Sequence, residues 1–154
     1  MNRVVRAVVL FISQGAYAGK SPIAPGTAGT VVGVFLYVLM KDLAPGPYAA
    51  LCALLSVLGI WAAGHAEVIL GRKDPSPVVI DEIAGYLVAM FLVPFGWGFV
   101  AAGFFVFRIF DIVKPWPLRR FEELHGGLGV MLDDIGAGVY TNIVLQIAAH
   151  FIVR

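Results

Sequence analysis

Charge is scarce in this sequence. Only 14% of its 154 residues are Asp, Glu, Lys or Arg, and 60% are hydrophobic. Typical soluble domains hold about 25% charged and roughly 45–50% apolar residues. A soluble chain of this size keeps much of its surface in water and needs polar groups to cover it. This chain has too few, so lipid is the expected solvent for much of the surface. A formal net charge of +1 says nothing useful about nucleic acid or acidic partners, and no nucleic-acid partner is expected. Cysteine is nearly absent too. Cys52 stands alone, which excludes an internal disulfide. Its apolar setting, YAALCALLSVLG, reads as a small buried hydrophobe. No small-residue cleavage site clearly follows VVRAVVLFI, so no cleaved leader is expected. No repeat, linker or low-complexity tract divides the chain, and one domain is expected over 1–154.

What is present is uncharged sequence in long runs. Residues 21–40 carry no charge, but Pro22, Pro25 and Gly26 break the first part and leave a helix at 28–40. An apolar run from 48 to about 70 follows, then the polar loop GRKDPSP. The run 135–153 lacks Asp, Glu, Lys and Arg and is long enough to span at ~20 residues per crossing. The stretch 83–107 is 25 uncharged residues with VPFGWG in its middle, a proline beside two glycines and so a turn signal. It reads either as one kinked span or as two helices, 79–93 and 97–113. Charge decides between them. Two helices put Arg3, Arg6, Lys20, Arg72, Lys73, Arg108, Lys114, Arg119 and Arg120 on one side, against Lys41 and Arg154 on the other. That bias fits the tendency of basic residues to stay cytoplasmic. A single span nearly abolishes it. The segment 4–12 is too short to cross and is expected to lie at the interface, Arg3 and Arg6 near headgroups. The expected fold is all-α: a polytopic integral membrane helical bundle with a short interfacial N-terminal helix and polar loops on one face.

The hairpin has a chemical consequence. It brings SPIAPGTAGT, VVIDEIAGY, FRIFDIVKPWPLRRF and HGGLGVMLDD to one membrane face, with eight of the ten acidic residues in or near them. Charges at helix ends in such a protein are costly unless paired, hydrated or metal-bound. Asp81 and Glu82 begin one helix, and Asp133 and Asp134 are expected to begin another; capping would account for either pair alone. Asp111 lies near a helix end where the dipole disfavours an anion, and Arg108, three residues earlier, can pair with it. Neither explanation accounts for the convergence of all five. A divalent cation would offset their repulsion, and hard oxygen ligands suggest magnesium rather than zinc. The glycines of HGGLG could admit an anion to the backbone or merely form a turn. His125 could act as acid or base, as a phosphate donor or as an interfacial side chain. His65 and Glu67 could assist the site or pair locally, and His150 reads as interfacial.

The blocks SPIAPGTAGT, VIDEIAGY, FRIFDIVKPWP and HGGLGVMLDDIGAGV, in that order between Ser21 and Val139, carry a resemblance. The chain resembles the phosphatidylglycerophosphatase A family of bacterial membrane phosphatases. The pattern FDxxKPxP followed by GGxGxxxDD is its most specific part. The resemblance implies a magnesium-dependent enzyme of phospholipid synthesis. It would sit in the bacterial cytoplasmic membrane with its site facing the cytoplasm, releasing phosphate from phosphatidylglycerophosphate. Its motif residues fall on Thr27, Thr30, Asp81, Glu82, Arg108, Asp111, Lys114, Asp133 and Asp134.

On that reading Asp81, Glu82, Asp111, Asp133 and Asp134 would hold one or two magnesium ions, with Asp81, Glu82, Asp111 and Asp134 also catalytic. Arg108, Lys114, Thr27, Thr30 and His125 would bind the phosphate, Arg108 through its planar fork. The backbone between Gly26 and Gly29 would complete the cradle, the two prolines stiffening its turn. Asp111 or Asp81 as a nucleophile is the alternative mechanism. Cys52 lacks an Arg six residues on, against a cysteine phosphatase. The rival function is a small ion-coupled transporter or channel with a re-entrant segment at 21–30. Its polar path should run through the membrane, and the outer halves of the spans are almost wholly apolar.

Overall fold

The structure, a computed structural model, describes residues 1–152, the Glu122 side chain excepted. Val153, the expected end of the last run, and Arg154, expected on the far side, lie outside the described residues. Seven α-helices follow in order: α1 (Arg3–Ser13), α2 (Pro25–Met40), α3 (Pro45–Leu70), α4 (Ile80–Ala89), α5 (Trp97–Val113), α6 (Leu118–Glu122) and α7 (Gly127–Ile152). No strand occurs among the described residues.

Local sequence accounts for many of the boundaries. The Asn2 side chain accepts the Val4 N–H at 3.0 Å and caps α1. Pro25 and Pro45 open α2 and α3, where a missing N–H costs nothing. These prolines start both helices three residues before the expected positions 28 and 48. Gly71, at φ +70°, closes α3 and donates its N–H to the Glu67 carbonyl at 2.8 Å. Helix α7 departs most from expectation. It begins at Gly127 rather than 135, so Asp133 and Asp134 lie well inside it and do not cap its start. The glycines of HGGLG weaken a helix locally by about 1 kcal/mol each, but packing outweighs that. A Cβ on Gly127 would collide with the Ile60 carbonyl of α3.

The uncharged run of 83–107 is indeed two helices. They run antiparallel: Glu82 Oε1 lies 3.7 Å from Arg108 Nη1, and the Tyr86 hydroxyl donates to the Val100 carbonyl at 3.0 Å. Helix α4 is shorter than the expected 79–93, about 15 Å at 1.5 Å per residue. It is also the centre of the molecule. Eight of its ten residues are buried, enclosed by α2, α3, α5 and α7. Tyr86 and Leu87 are fully buried, and the Tyr48 hydroxyl donates to the Leu87 carbonyl at 2.7 Å.

A helix that stops in an apolar interior leaves carbonyls without partners. The side chains of α7 supply them. Asn142 Nδ2 donates to Ala89 O at 2.9 Å and to Phe91 O at 2.7 Å, and Gln146 Nε2 reaches Phe91 O at 3.2 Å. Polar residues in the apolar half of α7 are thereby accounted for by the end of α4.

Two helices, α3 and α7, are long and apolar enough to cross a membrane. Their outward faces carry large exposed apolar side chains, among them Leu54, Val57 and Trp61 on α3 and Ile143, Ile147 and Phe151 on α7.

The crossing of α4 and α7 depends on two glycines. A Cβ on Gly138 would strike the Gly85 carbonyl, and one on Gly85 would lie 2.6 Å from the Asp134 carbonyl. Gly138→Val should therefore destabilise the fold by about 1–3 kcal/mol through overpacking. Gly98→Ala, with nothing within 4 Å of the new methyl, should be neutral or slightly stabilising. Thermal unfolding in detergent compares the two; equal midpoints would show that the crossing is not tight.

Candidate functional site

Four segments meet at one end of the bundle. The first turn of α2 contributes Ala24, Pro25 and Gly26. The loop before α4 and its first turn give Asp74, Ser76, Asp81 and Glu82. The end of α5 gives Arg108, Asp111 and Lys114, and α7 gives Asp133 and Asp134. Together they line a polar cavity of about 270 Å³.

The hairpin brings α4's start beside α5's end, and the glycine crossing sets α7 against α4. Gly26 admits the first turn of α2: a Cβ there would collide with Glu82 Oε1 and lie 3.0 Å from Arg108 Nη1. No side chain caps α2, and Ala24, Pro25 and Gly26 at its start line the cavity, so the positive end of its dipole lies beside it.

Charge in the cavity is unbalanced. Six carboxylates face two cations, a formal excess of four negative charges. Arg108 Nη1 pairs with Asp111 Oδ2 at 2.5 Å and lies 3.7 Å from Glu82. Lys114 Nζ pairs with Asp133 Oδ2 at 2.5 Å. Asp81 and Asp134, both buried, form no ion pair among the described residues. One oxygen from each of Asp81, Glu82 and Asp134 lies within 4.8 Å of the other two. Two unit charges that close repel by roughly 3 kcal/mol even at an effective dielectric of 20. Asp81 Oδ1, Glu82 Oε2, Asp133 Oδ1 and Asp134 Oδ2 are buried without a hydrogen-bond partner. Convergent, buried, unpartnered carboxylate oxygens fit a hard divalent cation, and an all-oxygen set disfavours zinc. Asp81, Glu82 and Asp134 could hold a metal ion; its identity is a separate question.

Seven of the residues singled out in the sequence meet here: Asp81, Glu82, Arg108, Asp111, Lys114, Asp133 and Asp134. Three do not line the cavity. Thr30 is fully buried, and its hydroxyl donates to the Gly26 carbonyl at 2.9 Å within α2. Thr27 lies in the first turn of α2, half-buried and off the cavity wall. His125 is exposed ahead of α7. Pro25 lines the cavity as well as opening its helix.

Asp74 and Ser76 were not anticipated. Their signal was position: GRKDPSP runs directly into Asp81 and Glu82. Glu67 has a structural task in that loop, its Oε1 accepting the Asp74 N–H at 2.8 Å. His65 stands apart, exposed, its Nδ1 2.8 Å from the Trp61 carbonyl.

A family model described as Phosphatidylglycerophosphatase A matches residues 11–149. The chain is 42% identical over 147 residues to a Bacteroides thetaiotaomicron protein named "Putative phosphatidylinositol-3-phosphatase", covering 90% of this chain and 92% of that one. It is 36% identical to Phosphatidylglycerophosphatase A of Escherichia coli, covering 90% and 82%. To the Haemophilus influenzae protein of the same name it is 38% identical, covering 87% and 84%. No solved structure matches the chain.

The carboxylate cluster predicts a metal effect on stability. A saturating cation, at a hundredfold over its dissociation constant, stabilises by about 2.7 kcal/mol. Magnesium should therefore raise the thermal midpoint of the purified protein by several degrees. Asp134→Asn should lose that shift. In chelator it should melt no lower than the parent, because a repelling charge is gone. A parent protein insensitive to magnesium and to other divalent cations would discard the site.

Proposed function

This chain belongs to the phosphatidylglycerophosphatase A family and is a phosphatase; from that premise we propose that it hydrolyses the terminal phosphomonoester of phosphatidylglycerophosphate with magnesium, giving phosphatidylglycerol and phosphate in bacterial phospholipid synthesis. One observation carries the reading: Asp81, Glu82 and Asp134, each with a buried carboxylate oxygen that lacks a hydrogen-bond partner, converge beside Arg108 and Lys114 in one cavity.

A phosphate monoester is dianionic and reacts slowly with water, so catalysis must supply position and charge stabilisation. Asp81, Glu82 and Asp134 would hold the magnesium, with Asp133 beside them. When bound, it neutralises the carboxylates, polarises a phosphate oxygen and acidifies the attacking water. Arg108 presents its fork to the phosphate oxygens, held in place by Asp111. Lys114 adds a second positive charge from the turn after α5. The first-turn N–H groups of α2 provide a further anion contact. Asp111, steadied by Arg108, takes the proton of the attacking water. The P–O bond to the glycerol breaks, and the leaving oxygen is protonated from solvent. The variant in which Asp111 or Asp81 itself attacks phosphorus uses the same cavity. Thr30 is given a structural part in this mechanism.

Supporting a membrane setting are α3 and α7 and the apolar side chains exposed around the bundle. We place the protein in the bacterial cytoplasmic membrane as a multi-pass bundle, α4 being an internal half-length helix. The cavity faces the cytoplasm, because Lys73, Arg108 and Lys114 belong to its end. Lys41 lies at the other end, 4.8 Å from the Phe95 ring centre. A transporter finds no support here: Asn142 and Gln146 are engaged by α4's carbonyls and form no conduit.

The purified protein should release phosphate from phosphatidylglycerophosphate with magnesium and not with EDTA. Phosphatidylinositol 3-phosphate and phosphatidic acid complete the panel. Faster turnover of the inositol lipid would reassign the substrate within the same chemistry; release from none would remove the phosphatase reading. Arg108→Lys keeps the charge but loses the fork; its kcat/KM should fall at least tenfold, about 1.4 kcal/mol. Orientation is tested in a Cys52→Ser background. Cysteines at Lys20, Lys73 and Arg120 should label from one side of the membrane and one at Asp42 from the other.

A further inference from the structure

The cavity accounts for a phosphate, but a diacyl substrate also has hydrocarbon to place. Three apolar crevices open on the bundle. One, between α3, α4 and α7 near Cys52, Val88 and Asn142, encloses about 260 Å³. A second lies at the far end around Gly96, Ala102 and Leu145. The third, about 320 Å³, lies between α2 and α5 and is walled by Val31, Val34, Ala101, Phe104 and Phe105, with Trp97 at its far end.

Only the third is built on the two helices whose ends form the cavity mouth. On α5, Trp97, Ala101, Phe104, Arg108 and Asp111 follow at intervals of four, three, four and three residues. Such spacing places them along one helix face. That stripe is apolar from Trp97 to Phe104 and charged from Arg108 onward. On α2, Thr27, Val31 and Val34 repeat the pattern, rising from beside Gly26. The crevice therefore ends about one helical turn along α5 from Arg108, whose guanidinium binds phosphate in the proposed reaction. Helices α2 and α5 touch only slightly, which leaves the seam open on the side. Its depth also suits the occupant. Trp97 lies eleven residues from Arg108, ~16 Å by helix rise, and one leaflet's share of a ~30 Å hydrocarbon core is ~15 Å.

We propose that the α2–α5 crevice holds one acyl chain of the substrate, admitted sideways from the bilayer while the phosphomonoester head reaches the carboxylate cavity. The inference rests on the phosphatase reading above. The chain lies against Val31, Val34, Ala101 and Phe104. Thr27 stands at the junction of hydrocarbon and charge, level with the glycerol and its esters. The binding site is thus two-part: polar at the helix ends, apolar along the seam.

Two measurements test this. Ala101 is exposed, so Ala101→Trp fills the crevice without disturbing the core. The ratio of kcat/KM for a dipalmitoyl substrate to that for a dibutanoyl one should fall at least about tenfold, the scale set by lost hydrophobic contacts. Leu54→Trp, on an exposed face of α3, should leave that ratio as in the parent. An unchanged ratio in Ala101→Trp, or an equal fall in both variants, overturns the proposal. The second measurement needs no turnover. In nanodiscs, phosphatidic acid with a diazirine in one acyl chain should label Val34, Ala101 or Phe104 several-fold more than phosphatidylcholine bearing the same chain. Arg108→Gln should erase the excess. Equal labelling by both lipids, or an excess near Cys52 and Val88 instead, overturns the crevice whether or not the protein proves to be a phosphatase.

Discussion

The crossing of α4 and α7 is the contact on which the site depends. At Gly85 and Gly138 the two backbones approach so closely that a methyl group on either glycine would meet the other helix's carbonyl. That approach carries Asp134 to Asp81 and Glu82, three carboxylates that would otherwise separate. Repulsion among them opposes the contact, and buried apolar packing around Tyr86, Leu87 and Met131 sustains it. The fold thus holds like charges together by packing forces and leaves their oxygens unpartnered. A protein selected for stability alone would have neutralised at least one of them. Buried charge without a partner is tolerated where a ligand supplies the missing partner.

The same crossing explains a half-length helix in the middle of the bundle. Asp81 and Glu82 must sit at the start of α4 and at the level of Arg108, so the helix begins at the cavity and runs inward. It ends after ten residues, and its last carbonyls would be stranded in an apolar surround. Asn142 and Gln146 accept that burden from α7. A helix end inside an apolar bundle is tolerable only where protein groups satisfy its carbonyls. One helix, α7, therefore contributes carboxylates to the site at one end and amides to the broken helix at the other. This division of labour makes its polar residues a structural requirement rather than a permeation path.

Much of this was legible in the sequence because the signals were strong and local. VPFGWG divides an uncharged run that was too long to ignore, and the placement of basic residues favoured two helices over one. Convergence of Asp81, Glu82, Arg108, Asp111, Lys114, Asp133 and Asp134 followed from that topology alone. The misreadings arose where tertiary contact overrides local preference. HGGLG looks like a turn because glycine is a poor helix former, yet Gly127 begins α7 and permits close packing on α3. Moving the start of α7 back eight residues took Asp133 and Asp134 away from the helix terminus and into the interior. Thr30 looked like a phosphate contact, but its hydroxyl satisfies a carbonyl one turn back, a bond available to any helical threonine. Asp74 was hidden in a loop whose course is set by Glu67, seven residues earlier.

The cavity itself does not distinguish one lipid phosphomonoester from another. On the proposed reaction its lining would recognise a dianion and a hard cation, and it offers the rest of a headgroup little beyond Ser76. Relatives of comparable identity carry names for two substrates, phosphatidylglycerophosphate and a phosphorylated inositol lipid, which is what a generic phosphate site would permit. Headgroup discrimination would then come from groups outside that lining. There a glycerol and an inositol ring differ in size and hydroxyl pattern. The catalytic apparatus can stay constant while the rim varies, because the carboxylates are fixed by helix crossings and the rim is made of turns and loop ends. In this chain the proposed chemistry is anchored in the packed helices, and the adjoining loops are the segments least constrained by packing.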